Sequence, residues 1–275
     1  MAALEYIRSS DRITAGTWSL TTGVERTGYL KESLDDGDPS QPLWITGTSI
    51  DLRRNFGAAQ RVDVVYIHAH TLANAATLHL MMNAADAWGA PTVDITVTIP
   101  TPFEDSFTYN LRIDVATAYP TVGDRTKQYL RIVNNVANAV TIAIGEIVMS
   151  PTKRTLAALS LQYGLVQQRQ RQVAIQSSKR GVRTVYDYGS IERRLKGTFP
   201  APAADLADLL TLETAAKFNA SPFVITLDPA SATTRYAEPW LVRLAAPISA
   251  SPINAGQSLV AFEAEELGQG ELVGA

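Results

Sequence analysis

The chain has 275 residues, 46% of them hydrophobic and 19% charged, with a formal net charge of -3. That mixture can bury a sizeable core, which excludes a chain disordered throughout, and the charge balance excludes the clustered cation excess that a nucleic-acid backbone demands. Cysteine is absent, which removes disulfides, thiolate nucleophiles and cysteine-ligated metal centres, and no apolar run reaches the ~18 residues that predict a membrane span.

Residues 1–43 read as an N-terminal arm or loop region. The opening "MAALEYIRSSDRITAG" lacks the charged-then-apolar layout of a secretory signal, so synthesis in a cytoplasm is expected. "KESLDDGDPSQP" reads as a polar, turn-rich loop. Its Asp35, Asp36 and Asp38 offer oxygen ligands that calcium accepts. The spacing is not that of an EF-hand, and an acidic turn is ordinarily solvated, so no metal is assigned there.

Residues 44–150 carry a β pattern. "VDVVYIHAH", "ATLHLMMN", "VDITVTIP", "FTYNLRIDV", "QYLRIVNN" and "AVTIAIGEIVM" are short runs rich in β-branched and aromatic residues. Gly, Pro, Asn and Asp punctuate them, and several alternate with period 2. Strands at this spacing with no helical pattern between them predict an antiparallel β-sandwich, of jelly-roll type. "MSPTKR" then marks a boundary. Residues 151–275 give two longer, more charged strands, one amphipathic helix and three further strands, predicting an α+β oligomerisation domain. The helix is read from Leu206, Leu209, Leu210 and Glu213 to Lys217, with Pro202 just ahead of it, where a missing N–H costs nothing. The fold class expected is therefore mainly β.

All three histidines fall within residues 60–84. Strand alternation predicts that His68 and His70 point the same way, with Val62, Val64 and Tyr66, and that His79 sits on the more exposed face of the next run. A His-x-His pair with a third histidine has the ligand count of a catalytic zinc site, which makes a zinc hydrolase a remote reading. Semi-exposed histidines at a strand end are the commoner meaning, so neither a metal site nor a catalytic residue is assigned. A G-x-S-x-G elbow and Gly-rich phosphate loops are absent, so no cofactor is expected and the protein is not read as an enzyme. Glu104 and Asp105 are adjacent, point to opposite faces of a strand and cannot act as an acid/base pair.

Arg169, Arg171, Lys179, Arg180 and Arg183 form the basic stretch, with Tyr186 and Tyr188 as its only aromatic companions, too little for nucleic acid. Glu263, Glu265, Glu266 and Glu271 stand near the other end. A contact between these two groups on neighbouring copies is the expected inter-subunit use, against a solvated strand face. Trp44, Trp88, Trp240 and Tyr236 are candidates for subunit contacts, with core burial the more ordinary role of each. Trp88 in "DAWGAP" and Tyr119 in "TAYPTVGDR" lie on predicted loops, as aromatic platforms of a glycan site would.

Two resemblances add to these readings. Residues 44–149 resemble the galactose-binding-type (discoidin-like) β-sandwich, on "LWITGTSIDLRRNFGAAQRVDVVYIHAHTL" and on the closing "QYLRIVNNVANAVTIAIGEIVM", with its Ile142-to-Ile147 ending. Residues 155–270 resemble the terminal domain of siphophage minor tail proteins of the distal-tail or baseplate region, on the element order from "YGLVQQRQRQ" through "YDYGSIERRLKGTF", the helix, "SPFVITLDP", "EPWLVRLAA" and "SLVAFEAEEL". Together they imply a structural virion protein of a bacteriophage tail tip. Such a protein would form a homo-oligomeric ring, trimer or hexamer, joining the tail tube to baseplate or fibre proteins, with neither nucleic acid nor membrane insertion among its partners. The alternative they imply is a carbohydrate-binding module for host cell-surface glycan.

Overall fold

The computed structural model describes residues 4–39, 41–72, 76–99, 109–134, 141–156, 166–177, 183–217, 220–227, 229 and 239–267, and only the backbone of 166–177 and 183–193. The fold is mainly β, with two eight-stranded antiparallel sheets. The strands are β1 (Leu4–Ile7), β2 (Thr17–Glu25), β3 (Leu43–Arg61), β4 (Val64–His70), β5 (Thr77–Asn83), β6 (Val93–Thr98), β7 (Tyr109–Asp114), β8 (Thr126–Asn134) and β9 (Thr141–Ser150). They continue as β10 (Arg154–Leu156), β11 (Val166–Ser177), β12 (Arg183–Pro202), β13 (Phe223–Thr226), β14 (Pro239–Leu244), β15 (Ser249–Asn254) and β16 (Gln257–Glu266). The helices are α1 (Val115–Ala118) and α2 (Ala203–Ala215).

One sheet has the order β6-β5-β8-β3-β9-β4-β7, with β2 also on β3. Strand β3 is long enough to serve both halves of the sandwich. Its residues 43–46 pair with β9 and its residues 50–61 with β8. Between the halves lies one core, built from Ile50, Leu52, Val65, Ile67, Leu78, Leu80, Leu130, Ile132, Ile142 and Ile144 among others. Each such side chain contributes ~1.5–3 kcal/mol by leaving water. The period-2 reading holds best on β5, where Leu78, Leu80 and Met82 are buried and the residues between them are not.

The other sheet has the order β10-β1-β13-β14-β16-β12-β11, with β15 also on β16. Helix α2 covers it through Leu209 and Leu212, which pack with Phe199, Trp240 and Phe262. Pro202 stands at the helix N-cap and Asp205 in its first turn, where a negative charge meets the positive end of the helix dipole. Leu210 of the expected apolar stripe is 43% exposed; Leu212 takes the inward place, because the stripe drifts around a 3.6-residue helix. Glu213 is buried and accepts the Ile248 N–H at 3.1 Å.

The segment expected as a separate arm, 1–43, is two strands of two different sheets. β1 pairs with β10 and β13 of the α2-covered sheet, whereas β2 pairs with β3 of the sandwich. Gly16 leads into β2 at φ 103, where a Cβ would stand 2.3 Å from the Asn55 carbonyl oxygen. Only glycine fits that approach.

Because β1 belongs to the second sheet, the chain stitches the two units together. Ile7, Val64, Tyr66, Val148, Val224, Leu241 and Leu267 form one small buried cluster drawn from both. A buried polar group completes the joint. Glu5 accepts from the Tyr66 hydroxyl and takes two hydrogen bonds of 2.8 Å from Arg112. Arg112 also reaches Asp114 at 2.8 Å, and Lys153 reaches the same carboxylate at 2.6 Å. These cations hold Asp114 near pKa 2 against the opposing effect of its burial.

One stretch departs from both layers. β12 pairs with β16 only over residues 194–202, yet it pairs with β11 down to Arg183 opposite Ser177. Beyond Gln168 opposite Arg194 the two strands therefore run on as a ribbon of two. Nine further residues of β11 at ~3.3 Å each give a reach of about 30 Å. A register shift between Arg171 and Val173 interrupts the ribbon, opposite residues 188–190 of β12; a bulge of this kind bends a strand pair.

Candidate functional site

The histidines do not converge. His79 stands on the outer face of β5, its Nδ1 3.3 Å from Asp94 Oδ1 and 3.3 Å from Thr96 Oγ1, as the alternation predicted. His68 and His70, expected to be semi-exposed, are 3% and 0% exposed. Ala69 between them adopts φ 54, and on β9 His68 pairs with Glu146 and His70 with Ile144. Burial pushes His70 down to about 3, with the neighbouring His68 adding to the effect. Among the described residues no three His, Asp or Glu side chains gather as metal ligands do.

The acidic loop is tied down by cations and by its own backbone. Asp35 pairs with the fully buried Arg54 at 2.6 Å, whose guanidinium lies 5.0 Å from the Trp18 ring and 5.7 Å from Phe56. Asp36 accepts the Asp38 N–H at 2.7 Å, an Asx-type turn. Glu146 of β9, which the sequence reading passed over, holds the loop from beneath. It accepts from Arg12 and, at 3.1 Å, from the Gly37 N–H. Burial pushes Glu146 up to about 8, although Arg12 pulls the other way.

The two aromatic loop residues have different fates. The Tyr119 hydroxyl donates to the Asp94 carbonyl at 3.1 Å and accepts the Asp94 N–H at 3.0 Å, while its ring packs on the sandwich core. It is a structural bolt between the α1–β8 connection and β6. Trp88 remains part exposed. Its indole N–H donates to Asp86 at 2.6 Å, and the Arg131 guanidinium lies 5.7 Å from its ring. Arg131 makes two 2.8 Å hydrogen bonds to Asp51. Arg53 bridges Asp51 at 3.3 Å and Asp86 at 3.2 Å. Two charged residues, Asp86 and Arg131, thus meet the tryptophan, and Arg53 and Asp51 of β3 join them in one chain of ion pairs on the outer sheet face. Asp51, Arg53 and Arg131 were not legible as partners of Trp88, since strand pairing rather than sequence proximity unites them.

Of the expected inter-subunit residues, Arg169, Arg171 and Arg183 lie on the ribbon backbone, and Lys179, Arg180 and Glu271 lie outside the described residues, as do Glu104, Asp105 and Tyr236. Glu263 meets Lys196 of its own chain at 3.0 Å, and Glu265 meets Arg194 at 3.7 Å. Glu266 is buried, within 3.5 Å of the Asn110 amide nitrogen of β7. These three glutamates therefore already have partners within their own chain. Trp44 and Trp240 are buried at 6% and 1%, Trp44 beneath Arg26 at 4.7 Å. An open groove of about 480 Å³ beside β2, lined by Ser19, Leu20, Gly23, Val24, Glu25 and Lys31, involves none of the residues singled out from sequence.

No protein-family model matches the chain, and a search of curated proteins also finds no match. Solved structures do resemble about half of it. A chitosan-binding module of a chitosanase/glucanase from Paenibacillus sp. IK-5 is 17% identical, with a TM-score of 0.37, over 50% of this chain and 97% of that one. The lectin domain of lectinolysin, complexed with Lewis B antigen, is 10% identical with a TM-score of 0.38, over 53% and 99%. A fucose-binding module of Streptococcus pneumoniae is 11% identical with a TM-score of 0.36, over 50% and 96%.

Proposed function

We propose that this chain is a non-enzymatic structural subunit that assembles with copies of itself through its β11–β12 ribbon. The observation behind the reading is that the ribbon extends past every other strand it pairs with. A hairpin of two strands is marginal in water, and unpaired strand borders invite another chain. Among the described residues the ribbon has such a border on each side: the outer edge of β11, and the outer edge of β12 over residues 183–193. Copies related by rotation would set one against the other, the head-to-tail contact that closes a ring. That ring, a trimer or hexamer, would sit at a virion tail tip, between tail tube and baseplate or fibre proteins, as the resemblance to siphophage distal-tail and baseplate proteins implies. Native mass spectrometry tests the assembly. Wild type is expected at a multiple of 29.7 kDa, and a chain in which Asn-Gly replaces residues 172–190 is expected at the mass of one shortened chain. A wild type that stays single at every concentration, or a shortened chain that still assembles, ends the reading.

A second reading is that the sandwich binds carbohydrate on a host surface. It coincides with what the similar structures are described as binding. The observation that favours it in this chain is Trp88, a part-exposed indole held by charged neighbours on an open sheet face.

A further inference from the structure

We infer that the outer sheet face beneath the 84–92 loop is a seat for a neutral pyranoside, with Trp88 as its stacking platform. The inference rests on the carbohydrate reading and narrows it to one place and one ligand class.

Trp88 is fixed before any ligand arrives. Its N–H is committed to Asp86 at 2.6 Å, and the cation of Arg131 stands 5.7 Å from the ring. The loop that carries it is closed by Asn83, which donates to the Ala87 carbonyl at 2.6 Å and accepts from Thr92 at 3.3 Å. Arg131 is itself locked by two hydrogen bonds to Asp51. A large amphipathic ring held in this way loses little freedom on binding, so more of the contact energy appears as affinity.

The charges choose the ligand. Two guanidiniums, Arg53 and Arg131, face two carboxylates, Asp51 and Asp86, in one connected chain of ion pairs. The four cancel, so the face exerts little net pull on an anion or a cation to offset the water an ion would shed. A neutral sugar carries no such charge to desolvate. Its C–H face lies on the indole, and its hydroxyls meet Asp86 and Arg53, whose side chains are still 50% and 26% exposed. Each partner can add a hydrogen bond to a hydroxyl while keeping its ion pair. Tyr119 has no part, since its hydroxyl is spent on Asp94.

The test uses the full chain on a glycan array, followed by titration of the neutral methyl pyranosides it selects and of the matching uronates, with the Trp88 indole N–H followed by NMR. The expected result is binding of a neutral pyranoside that moves the Trp88 resonance and weakens at least tenfold in Trp88→Ala, with the uronate binding less well. Trp88→Tyr, which keeps an aromatic platform, is expected to retain part of the affinity and guards against a misfolded alanine variant. Binding that leaves the Trp88 resonance and affinity untouched overturns this seat and keeps the carbohydrate reading. A preference for the uronate overturns the neutral class. A blank array overturns the carbohydrate reading itself.

Discussion

Strand β8 has a hydrogen-bonded neighbour on each side, and Leu130 and Ile132 point from it into a shared core. Strand β11 has β12 on one side, and past Gln168 that pair has no third strand beside it among the described residues. The sandwich meets the needs of its own backbone and charges: Asp51, Asp63 and Glu146 each have a cationic partner within the chain. The ribbon, in contrast, is long, thin and open at both borders. The sandwich spends its polar groups internally, and the assembly proposed above would use the ribbon's borders.

The contrast breaks first at the joint between the two units. Arg112→Ala leaves Glu5 buried without its cation, which costs ~3–5 kcal/mol. Calorimetry is expected to show one transition for wild type and two for the variant, as each sheet melts by itself. One unchanged transition would mean that the apolar cluster around Ile7 and Val64 suffices.

The next effect is in pH, and it has two opposed limbs. Glu146 holds its proton more tightly folded, at about 8, than the ordinary 4.5. Its contribution to stability is complete below about 4.5 and disappears as pH rises through about 8. His70 is depressed from 6.5 to about 3. It contributes above about 6.5, and that contribution is lost as pH falls through about 3. Denaturant midpoints should therefore fall on both sides of a maximum between these limits. Glu146→Gln should flatten the alkaline limb alone, and His70→Asn the acid limb alone; a variant that moves the opposite limb would reverse the assignment.

Smaller still, Trp88→Ala should lower stability by ~0.5–1 kcal/mol, the worth of one half-exposed cation–π contact. A thermal melt showing a loss of several kcal/mol would recast Trp88 as a core residue. The smallest effect sharpens the comparison from the other side. Shortening the ribbon by removal of 172–190 should leave monomer stability within ~0.5 kcal/mol, because the described backbone of that length pairs with no third strand.

The strands around β5 were legible because one face is buried and the other wet, so "TLHLMMN" alternates. β1 was hidden for the opposite reason: all four residues of "LEYI" are buried, and so short a run has no period to read. β15, "SASPIN", is exposed at every position and contains a proline, which argues against a strand from sequence alone; as an edge strand it tolerates both. The helix was plain from Pro202 and its leucines. The burial of His68 and His70 was not legible, because a strand that runs out into a loop reads as a semi-exposed end. Trp88 could be placed on a loop from its Gly and Pro neighbours, but its ionic surroundings come from strands 35 and 43 residues away in the chain, at Arg53 and Arg131.

The place of β1 in the second sheet has a consequence for how the protein is made. Leu4–Ile7 leaves the ribosome well before its partner β13, which begins at Phe223. More than two hundred residues must follow it before both of its partners, β10 and β13, are present, so the sandwich can condense while its forerunner still waits. Contacts of such long range slow the final step of folding. A chaperone that shields Leu4 and Tyr6 during that delay would raise the yield of native protein without changing its final stability.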